Sequence, residues 1–314
     1  MHDLIIVGGG PAGTSAAVYA ARKRLKTIFL TSEWGGQSAV SSEIQNWIGT
    51  PHIMGADLAD NLKKHVEEYK GEFLEIVSPS EATQLKTFDD HVEVVTKKGA
   101  YSASAVIIAT GANRRKLDVP GAAEFDQKGL TYCASCDGPL FAGQDVAVIG
   151  GGNAAFETAL QLLAYCKEVT LLNRTDAFRA DEISVAAAKA HANMRIVLNA
   201  VPTEVVGGPP PGGFVSGIKY KDAKSGEETL LPVAGIFVEI GLLPSSTWLA
   251  NVLELNAVGQ IKVDPRTQRA SHRRVWAAGD ITDGIYHQNN IAAGDAVKAL
   301  EDVYMFIRKN KSEA

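Results

Sequence analysis

The chain is poor in cysteine, with three among its 314 residues, and this scarcity excludes one class of protein. Three cysteines cannot form the disulfide framework of a small secreted domain. Basic residues are not in excess, because the formal net charge is −5, and this argues against nucleic acid as a partner. No apolar run approaches the ~18 residues of a membrane span, and the start MHDLIIVGGG lacks the features of a signal peptide. We therefore expect a soluble cytoplasmic protein, with no membrane and no nucleic acid as partner.

Glycine, in contrast, is placed in a pattern near the start of the chain. Residues 4–13 read LIIVGGGPAG, which contains G-x-G-x-x-G as Gly8, Gly10 and Gly13. An alanine-rich helical run follows, and then a second apolar strand, TIFL. The order strand, glycine turn, helix, strand is the first unit of a dinucleotide-binding fold. Glycine lets the backbone approach a pyrophosphate, and the helix N-terminus offers free N–H groups to it.

The same pattern returns in the middle of the chain. Residues 145–155 read DVAVIGGGNAA, which gives G-x-G-x-x-A at Gly150, Gly152 and Ala155, again followed by a helical run and an apolar strand, VTLLN. One such motif is weak support, whereas two copies in the same context are strong. Two units predict two dinucleotide sites, most economically one for FAD and one for a nicotinamide cofactor.

Two further strand patterns agree with a flavin site. Residues 106–111 read VIIATG, and residues 275–280 read VWAAGD. In flavoproteins with two dinucleotide-binding folds, such strands mark the return of the chain to the flavin. The Asp280 carboxylate would accept hydrogen bonds from the ribityl hydroxyls.

Two of the cysteines lie close together in residues 132–141, YCASCDGPLF. A zinc site at Cys133 and Cys136 would need two further ligands, and none of the seven histidines lies at ligand spacing from the pair. A structural disulfide closing so short a loop would stabilise the chain little, because loop-closure entropy grows with loop length. Redox exchange is the favoured interpretation, with Asp137 available to carry protons. Cys166, at the end of the predicted helix ALQLLAYC, is expected in the core.

Together these residues resemble the low-molecular-weight thioredoxin reductase family over nearly the whole chain. The resemblance is carried by the segments GGGPAG, GGQ, NWIG, ATGA with a downstream PG, CASCD, GGGNAA and AAGD. The catalytic half of the alkyl hydroperoxide reductase flavoprotein subunit is similar too, above all in CDGPLFAGQDVAVIGGGN and GIFVEIGLLPSSTWL. That relative carries an N-terminal thioredoxin-like module, whereas this sequence starts at the flavin fingerprint, and a separate protein substrate is therefore expected.

The resemblance implies an α/β fold with two Rossmann-like dinucleotide-binding domains of the three-layer ββα type, the second inserted in the first. A discontinuous FAD-binding domain would comprise residues 1–114 and 244–314. An NAD(P)H-binding domain carrying the C-x-x-C would comprise residues 115–243. Two hinge strands, near residues 114–119 and 241–244, would join them and let the inserted domain rotate during turnover. The family forms homodimers, so we expect one.

The resemblance also implies roles for individual residues. Cys136 would exchange electrons with the flavin, Cys133 would attack the disulfide of a thioredoxin- or glutaredoxin-like protein, and Asp137 would serve as acid and base. The predicted FAD-binding residues are Gly8, Gly10, Pro11, Ala12, Gly13, Gly36, Gln37, Asn46, Ala109, Thr110, Gly111, Gly279, Asp280, His287, Gln288 and Asn289. The predicted NADP-binding residues are Gly150, Gly152, Asn153, Ala154, Ala155, Arg174 and Arg179.

Some positions depart from the family pattern. NADPH-dependent thioredoxin reductases carry H-R-R-x-x-x-R where this chain has Asn173, Arg174, Thr175 and Arg179, so one phosphate contact is missing. The NADH-dependent relative usually has glutamate at the position of Asn173, which is not acidic here, and NADPH is therefore the favoured donor. On the flavin side, Thr31 stands where many flavoproteins have a ribose-binding acid, Glu33 is a possible substitute, and His287 replaces a cation.

The predicted activity is thioredoxin-disulfide reductase, with electrons passing from NADPH through FAD to the Cys133–Cys136 disulfide. The alternatives are a reductase of the same fold fed by ferredoxin or another donor, and an NADH-dependent reductase of a peroxiredoxin system. An enzyme like ferredoxin–NADP reductase, or a non-catalytic dinucleotide sensor, would have no use for the cysteine pair.

Overall fold

The structure, a computed structural model, describes residues 1–41, 44–208, 213–249 and 251–313. A loop is predicted at the glycine- and proline-rich stretch 207–213, and its residues 209–212 lie outside this part of the chain. The chain divides into two compact units. The first comprises Met1–Asn113 and Leu243–Ala314, and the second comprises Arg114–Leu242. Which cofactor each unit binds stays a prediction.

The elements are numbered in chain order. The described strands are β1 His2–Val7, β2 Thr27–Leu30, β3 Leu74–Val77, β4 Ala82–Thr87, β5 Val92–Thr96, β6 Gly99–Ile108, β7 Ala112–Arg114, β8 Leu130–Thr131, β9 Asp145–Ile149, β10 Glu168–Leu172, β11 Met194–Val197, β12 Ala200–Gly207, β13 Val215–Asp222, β14 Glu228–Pro232, β15 Gly235–Val238, β16 Leu242–Pro244 and β17 Val275–Ala277. The α-helices are α1 Pro11–Arg22, α2 Gly55–Glu67, α3 Ala134–Asp137, α4 Asn153–Leu163, α5 Glu182–Lys189 and α6 Asn289–Glu313. In the described part of the chain, no helix is long and apolar enough to cross a membrane.

The first unit is built on a seven-stranded sheet with the order β3-β2-β1-β6-β5-β4, in which β17 also pairs with β6. The strands β1, β2, β3, β6 and β17 run parallel, whereas β5 pairs antiparallel with both of its neighbours, β6 and β4. Both faces of this sheet are covered, because the alternating side chains of β1 enter two different apolar cores. The parallel strands bring the segments that follow β1, β6 and β17 to one edge of the sheet.

One of these cores lies between the sheet and the helices α1 and α6, which pack against each other. Their contact faces are lined by alanine, including Ala16 and Ala20 of α1 with Ala296 and Ala299 of α6. Small side chains let the two helix backbones approach closely, and alanine also has the highest helix propensity. Helix α2 covers Gly55–Glu67 and adds Val66 to this core.

The second unit has three layers. Its parallel sheet has the order β11-β10-β9-β15-β8, and a separate antiparallel sheet is formed by β12, β13 and β14. Val146 and Val148 of β9 face the core shared with α4, whereas Ala147 and Ile149 face the core shared with the antiparallel sheet. The helix, parallel sheet and antiparallel sheet form the predicted three-layer arrangement.

The chain crosses between the units in two strands. These are β7 and β16, which pair to form a two-stranded sheet. The first crossing strand ends at Arg114, where the predicted hinge strand starts, so it lies earlier in the chain than predicted. The second, at Leu242–Pro244, falls within the predicted range 241–244.

Candidate functional site

The first glycine turn connects β1 to α1 at the edge of the seven-stranded sheet. Gly8 has φ of +120°, and a Cβ there would overlap the carbonyl of Ala109. A Cβ on Gly13 would overlap the carbonyl of Gly8, so the third glycine lets the helix pack against the turn. Gly10 precedes Pro11 at the start of α1, and no described side chain caps this helix, which leaves its first N–H groups for a ligand.

A cavity of about 780 Å³ opens at this turn and is lined by the first unit. Its volume is in the range of sites for large organic ligands. Twelve of the sixteen residues predicted to bind FAD line this cavity. They are Gly8, Gly10, Pro11, Ala12, Gly36, Gln37, Ala109, Thr110, Gly111, Gly279, Asp280 and Asn289. These positions are far apart in sequence, and the parallel strands β1, β6 and β17 bring them together.

The remaining four residues do not line the cavity. Gly13 packs against the turn, and the Nδ2 of Asn46 donates to the Oε1 of Gln288 at 3.1 Å. The Nδ1 of His287 lies 3.5 Å from the Oδ1 of Asp280, which does line the cavity. Direct contact of these four residues with a cofactor stays a prediction.

Sequence reasoning missed one informative residue of the cavity, Ser80. Its side chain is only 5% exposed, and its hydroxyl has no hydrogen-bond partner among the described residues. A buried hydroxyl without a partner is costly, so one that lines a cavity indicates a polar ligand. No motif marks Ser80, because it reaches the cavity only through the pairing of β3 with β2.

Thr31, which stands where many flavoproteins have a ribose-binding acid, directly follows β2. Thr31 is buried, and its hydroxyl donates to the carbonyl of Glu33. Both residues line the cavity. Thr31 therefore shapes the loop after β2. The side chain of Glu33 is exposed, and its contact with a ribose stays a prediction. The uncapped helix, the unpartnered Ser80 hydroxyl and the glycine cradle all fit a flavin dinucleotide.

The second glycine turn, between β9 and α4, repeats this geometry. Gly150 has φ of +148°, and a Cβ there would overlap the carbonyl of Glu239. No side chain of the described residues caps α4, which follows Gly152. Ala155 is fully buried, so it packs the helix against the turn and does not reach a ligand. The adjacent Ala154 is exposed in the first turn of the helix.

Asn173 organises the loop that carries the predicted phosphate-binding arginines. Only 4% of its side chain is exposed, and a Cβ on Gly151 would overlap its Oδ1. Its Nδ2 donates to the carbonyls of Thr175 and Ala177 at 3.0 and 2.9 Å. The amide is therefore engaged within the loop, and a glutamate there could not make these donations.

The far end of the same loop is fastened to the turn. The backbone N–H of Arg179 donates to the carbonyl of Gly151 at 2.8 Å. Asn153 and Asp181 form two hydrogen bonds with each other. The Nδ2 of Asn153 donates to the Oδ2 of Asp181 at 2.9 Å, and the backbone N–H of Asp181 donates to the Oδ1 of Asn153 at 2.7 Å. The side chains of Arg174 and Arg179 are exposed and make no hydrogen bond or ion pair among the described residues. Two available guanidinium groups beside an uncapped helix fit a phosphorylated nucleotide.

Cys133 and Cys136 form a disulfide at the start of α3, with their Cα atoms 5.3 Å apart. Cys133 caps the helix, and the backbone N–H of Cys136 donates to its sulfur at 3.2 Å. Both residues are partly exposed. A donor aimed at this sulfur would also stabilise a Cys133 thiolate after reduction. No cluster of three or more His, Cys, Asp or Glu residues that could hold a metal is present in the described ranges.

Asp137 follows the pair and accepts a hydrogen bond from the hydroxyl of Thr131. Burial raises the pKa of the Asp137 carboxyl above its ordinary value, and the bond from Thr131 opposes this rise. A carboxyl with a raised pKa is suited to giving and taking protons near neutral pH. Thr131 was not predicted as a site residue, since its role depends on the pairing of β8 with β15.

A second buried carboxylate, Glu239, lies just after β15. Its Oε2 is 2.9 Å from the Nη1 of Arg114, and its Oε1 accepts from the hydroxyl of Thr158 at 3.0 Å. Burial raises the pKa of Glu239, and the charge of Arg114 opposes this rise. These residues belong to one unit, and they fix the segment between β15 and β16 to the last residue of β7. Sequence analysis did not single them out.

Cys166 is buried, as predicted, but it does not lie on a helix. Helix α4 ends at Leu163, and Cys166 follows in the turn, where its thiol donates to the carbonyl of Phe141 at 3.4 Å. Burial raises the pKa of this thiol to about 11. It is therefore a neutral core side chain, unlike the exposed pair.

The model of the pyridine nucleotide-disulphide oxidoreductase family matches residues 2–296, and the chain belongs to this family. Its members are flavoproteins that work with a pyridine nucleotide. The two-unit fold predicted from the sequence is the fold of this family.

Particular relatives agree with the predicted resemblances. The F subunit of alkyl hydroperoxide reductase from Escherichia coli is 39% identical over 312 residues, which are 99% of this chain and 59% of that protein. This chain thus spans about three fifths of the length of the curated relatives it matches. The thioredoxin reductase structure from Streptococcus pyogenes has a TM-score of 0.88 at 32% identity, covering 98% of this chain and 99% of that one. The thioredoxin reductase from Giardia duodenalis has a TM-score of 0.90 at 29% identity, covering 98% and 99%.

Proposed function

We propose that the chain is a thioredoxin-disulfide reductase that uses NADPH, FAD and the Cys133–Cys136 pair. The observation that carries this proposal is the partly exposed disulfide beside Asp137, in the same unit as the second glycine turn. The solved structures similar to it, over nearly their whole length, are described as thioredoxin reductases. The substrate would be a thioredoxin- or glutaredoxin-like protein, and the enzyme would act as a homodimer in the cytoplasm.

The first unit would hold FAD in the cavity at the β1–α1 turn, and the second would hold NADPH at the β9–α4 turn. When bound, the flavin supplies a relay for two electrons between the nicotinamide and the disulfide. The protein contributes the uncapped helix N-termini for the pyrophosphates, and Arg174 with Arg179 for the 2′-phosphate.

The dithiol form would reduce the partner by exchange. The Cys133 thiolate attacks a sulfur of the partner's disulfide and forms a mixed disulfide, while the other partner sulfur leaves as a thiolate. Cys136 then attacks the Cys133 sulfur, which re-forms the Cys133–Cys136 disulfide and releases the partner as a dithiol. Asp137 would take the proton from the Cys136 thiol and give one to the leaving thiolate.

A direct experiment is the rate of NADPH oxidation that depends on added thioredoxin, with FAD-loaded protein. We expect Cys133→Ser and Cys136→Ser each to abolish this rate. Cys166→Ser is the matched control, because it removes the one cysteine that is buried and outside the pair, and it should retain the rate. Undiminished turnover in Cys133→Ser would show that the pair has been assigned wrongly.

A second candidate is a reductase of a peroxiredoxin system, favoured by the 39% identity to the F subunit of alkyl hydroperoxide reductase. The structural argument against NADH as its donor is the engaged, uncharged amide of Asn173. Flavin bleaching under anaerobic conditions, compared for NADPH and NADH, separates the two donors. If neither bleaches the flavin, a ferredoxin-like or other donor feeds the enzyme.

A further inference from the structure

We propose that Thr131 is a positioning residue for the disulfide chemistry, because its hydroxyl joins the Asp137 carboxylate and the Cys133 backbone in one hydrogen-bonded chain. The role given to Thr131 rests on the proposed function, whereas its hydrogen bonds and the test below concern this chain alone. Nothing in the pattern C-x-x-C-D assigns a role to the residue two positions before the first cysteine.

The hydroxyl is fixed by the sheet. Thr131 is the last residue of β8, is 3% exposed, and lies opposite Phe237 in the parallel pairing with β15. The backbone N–H of Cys133 donates to its oxygen at 3.2 Å. The N–H of Cys133 can only donate, so the hydroxyl acts as acceptor there and its single proton is left for the Asp137 carboxylate.

The chain of hydrogen bonds therefore has a direction. It runs from the Cys133 N–H through the Thr131 hydroxyl to the Asp137 Oδ2. A donor aimed at a carboxylate stabilises its ionised form, whereas burial favours the neutral form. The hydrogen bond from Thr131 thus opposes the effect of burial on the pKa of Asp137. It also links the carboxylate to the backbone of the cysteine that would attack the substrate.

No other charged group takes this role in the described part of the chain. Among the described residues, the influences on the pKa of Asp137 are burial, which raises it, and the Thr131 hydrogen bond, which lowers it. Helix α4 packs against α3 and presents Gln161, whose Nε2 donates to the carbonyl of Ala134 at 3.1 Å. Tyr165, in the turn after α4, lies so close to α3 that a Cβ on Gly138 would overlap its hydroxyl. Burial raises the pKa of this phenol, so it is neutral near pH 7.

The test compares two substitutions that divide the side chain of Thr131. Thr131→Val keeps the shape and removes the hydroxyl, whereas Thr131→Ser keeps the hydroxyl and removes the methyl group. The readout is the pH midpoint at which the Asp137 carboxyl protonates, followed by its infrared carbonyl band in the difference between each protein and its Asp137→Asn counterpart. This measurement uses the oxidised protein and requires no nucleotide or thioredoxin, so it stands whether or not the proposed function holds.

We expect Thr131→Val to raise the midpoint by about one to two pH units, as for the loss of a hydrogen bond to a charged group. Thr131→Ser should leave it near the wild-type value. A structural role would give the opposite order, with Ser perturbed and Val normal, and that result would overturn the proposal, as would an unchanged midpoint in both. Thr158→Val is the matched control, since it removes a similar bond to Glu239 and should not move the Asp137 midpoint. If Thr131→Val does not fold, Thr131→Ala provides the same comparison with Ser.

Discussion

The proposed preference for NADPH over NADH should depend on Arg174 and Arg179, and the exposure of these two side chains sets its expected size. Neither side chain has a hydrogen-bond or ion-pair partner in the described part of the chain, so replacing either with alanine breaks no internal bond. A charge-assisted bond from arginine to phosphate contributes about 1.5–3 kcal/mol. Because both side chains are exposed, solvent screening places each contribution near the lower limit.

At the lower limit each arginine is worth roughly a factor of ten in affinity for a 2′-phosphate. We therefore expect Arg174→Ala and Arg179→Ala each to raise the KM for NADPH about tenfold, and the double variant to raise it about a hundredfold. The KM for NADH should not change, since NADH has no 2′-phosphate. Arg195→Ala, which removes an exposed arginine of β11 in the same unit, is the control and should affect neither value.

The assay is the initial rate with each nucleotide, together with calorimetric binding of adenosine 2′,5′-bisphosphate compared with AMP. Asn173→Ala should also weaken the binding of NADPH, because the loop that carries the arginines loses the hydrogen bonds from Asn173 to the carbonyls of Thr175 and Ala177. In the double-arginine background the Asn173 substitution should have little further effect on the preference. An unchanged ratio of the two KM values in the double-arginine variant would show that these side chains do not bind the 2′-phosphate.

Three further predictions follow from buried groups. Arg114→Ala leaves the Glu239 carboxylate unpaired, and should lower the free energy of unfolding by about 3–5 kcal/mol. Since burial raises the folded-state pKa of Glu239, its protonated form is favoured in the fold, so the Tm difference from wild type should be small at low pH and grow as the pH rises through that pKa. Gly13→Ala should yield protein that retains little flavin, measured by visible absorbance after desalting, because the new Cβ would overlap the Gly8 carbonyl; full retention would contradict the packing described. With the disulfide reduced, a thiol reagent at neutral pH should label Cys133 and Cys136 within the folded protein, and Cys166 only after denaturation, since burial raises its pKa to about 11; rapid labelling of all three would contradict this.

Much of the fold was predictable because its signals are local. Each glycine turn is marked by the same short motif between an apolar strand and a helix, and the apolar segments TIFL and DVAVI form the strands β2 and β9. Paired copies of that motif predicted two dinucleotide-binding units without any knowledge of how they pack.

Other residues could not be found from the sequence, because their roles arise from strand pairing. Ser80 reaches the cavity of the first unit because β3 pairs with β2, and Thr131 meets Asp137 because β8 is fixed beside β15. Asn173 looked like a missing contact in the sequence, whereas its buried amide organises the loop that carries both arginines. The predicted helix through Cys166 was too long, since apolar periodicity continued past the turn at which α4 ends.

The central claim is that the Cys133–Cys136 disulfide exchanges electrons with the flavin. The most direct measurement is an anaerobic titration of the FAD-loaded protein with NADPH, comparing wild type with the Cys133→Ser, Cys136→Ser double variant. The account predicts that the wild type takes up one equivalent of NADPH for the flavin and a second for the disulfide, and that the double variant takes up only the first. Equal uptake by the two proteins would contradict it.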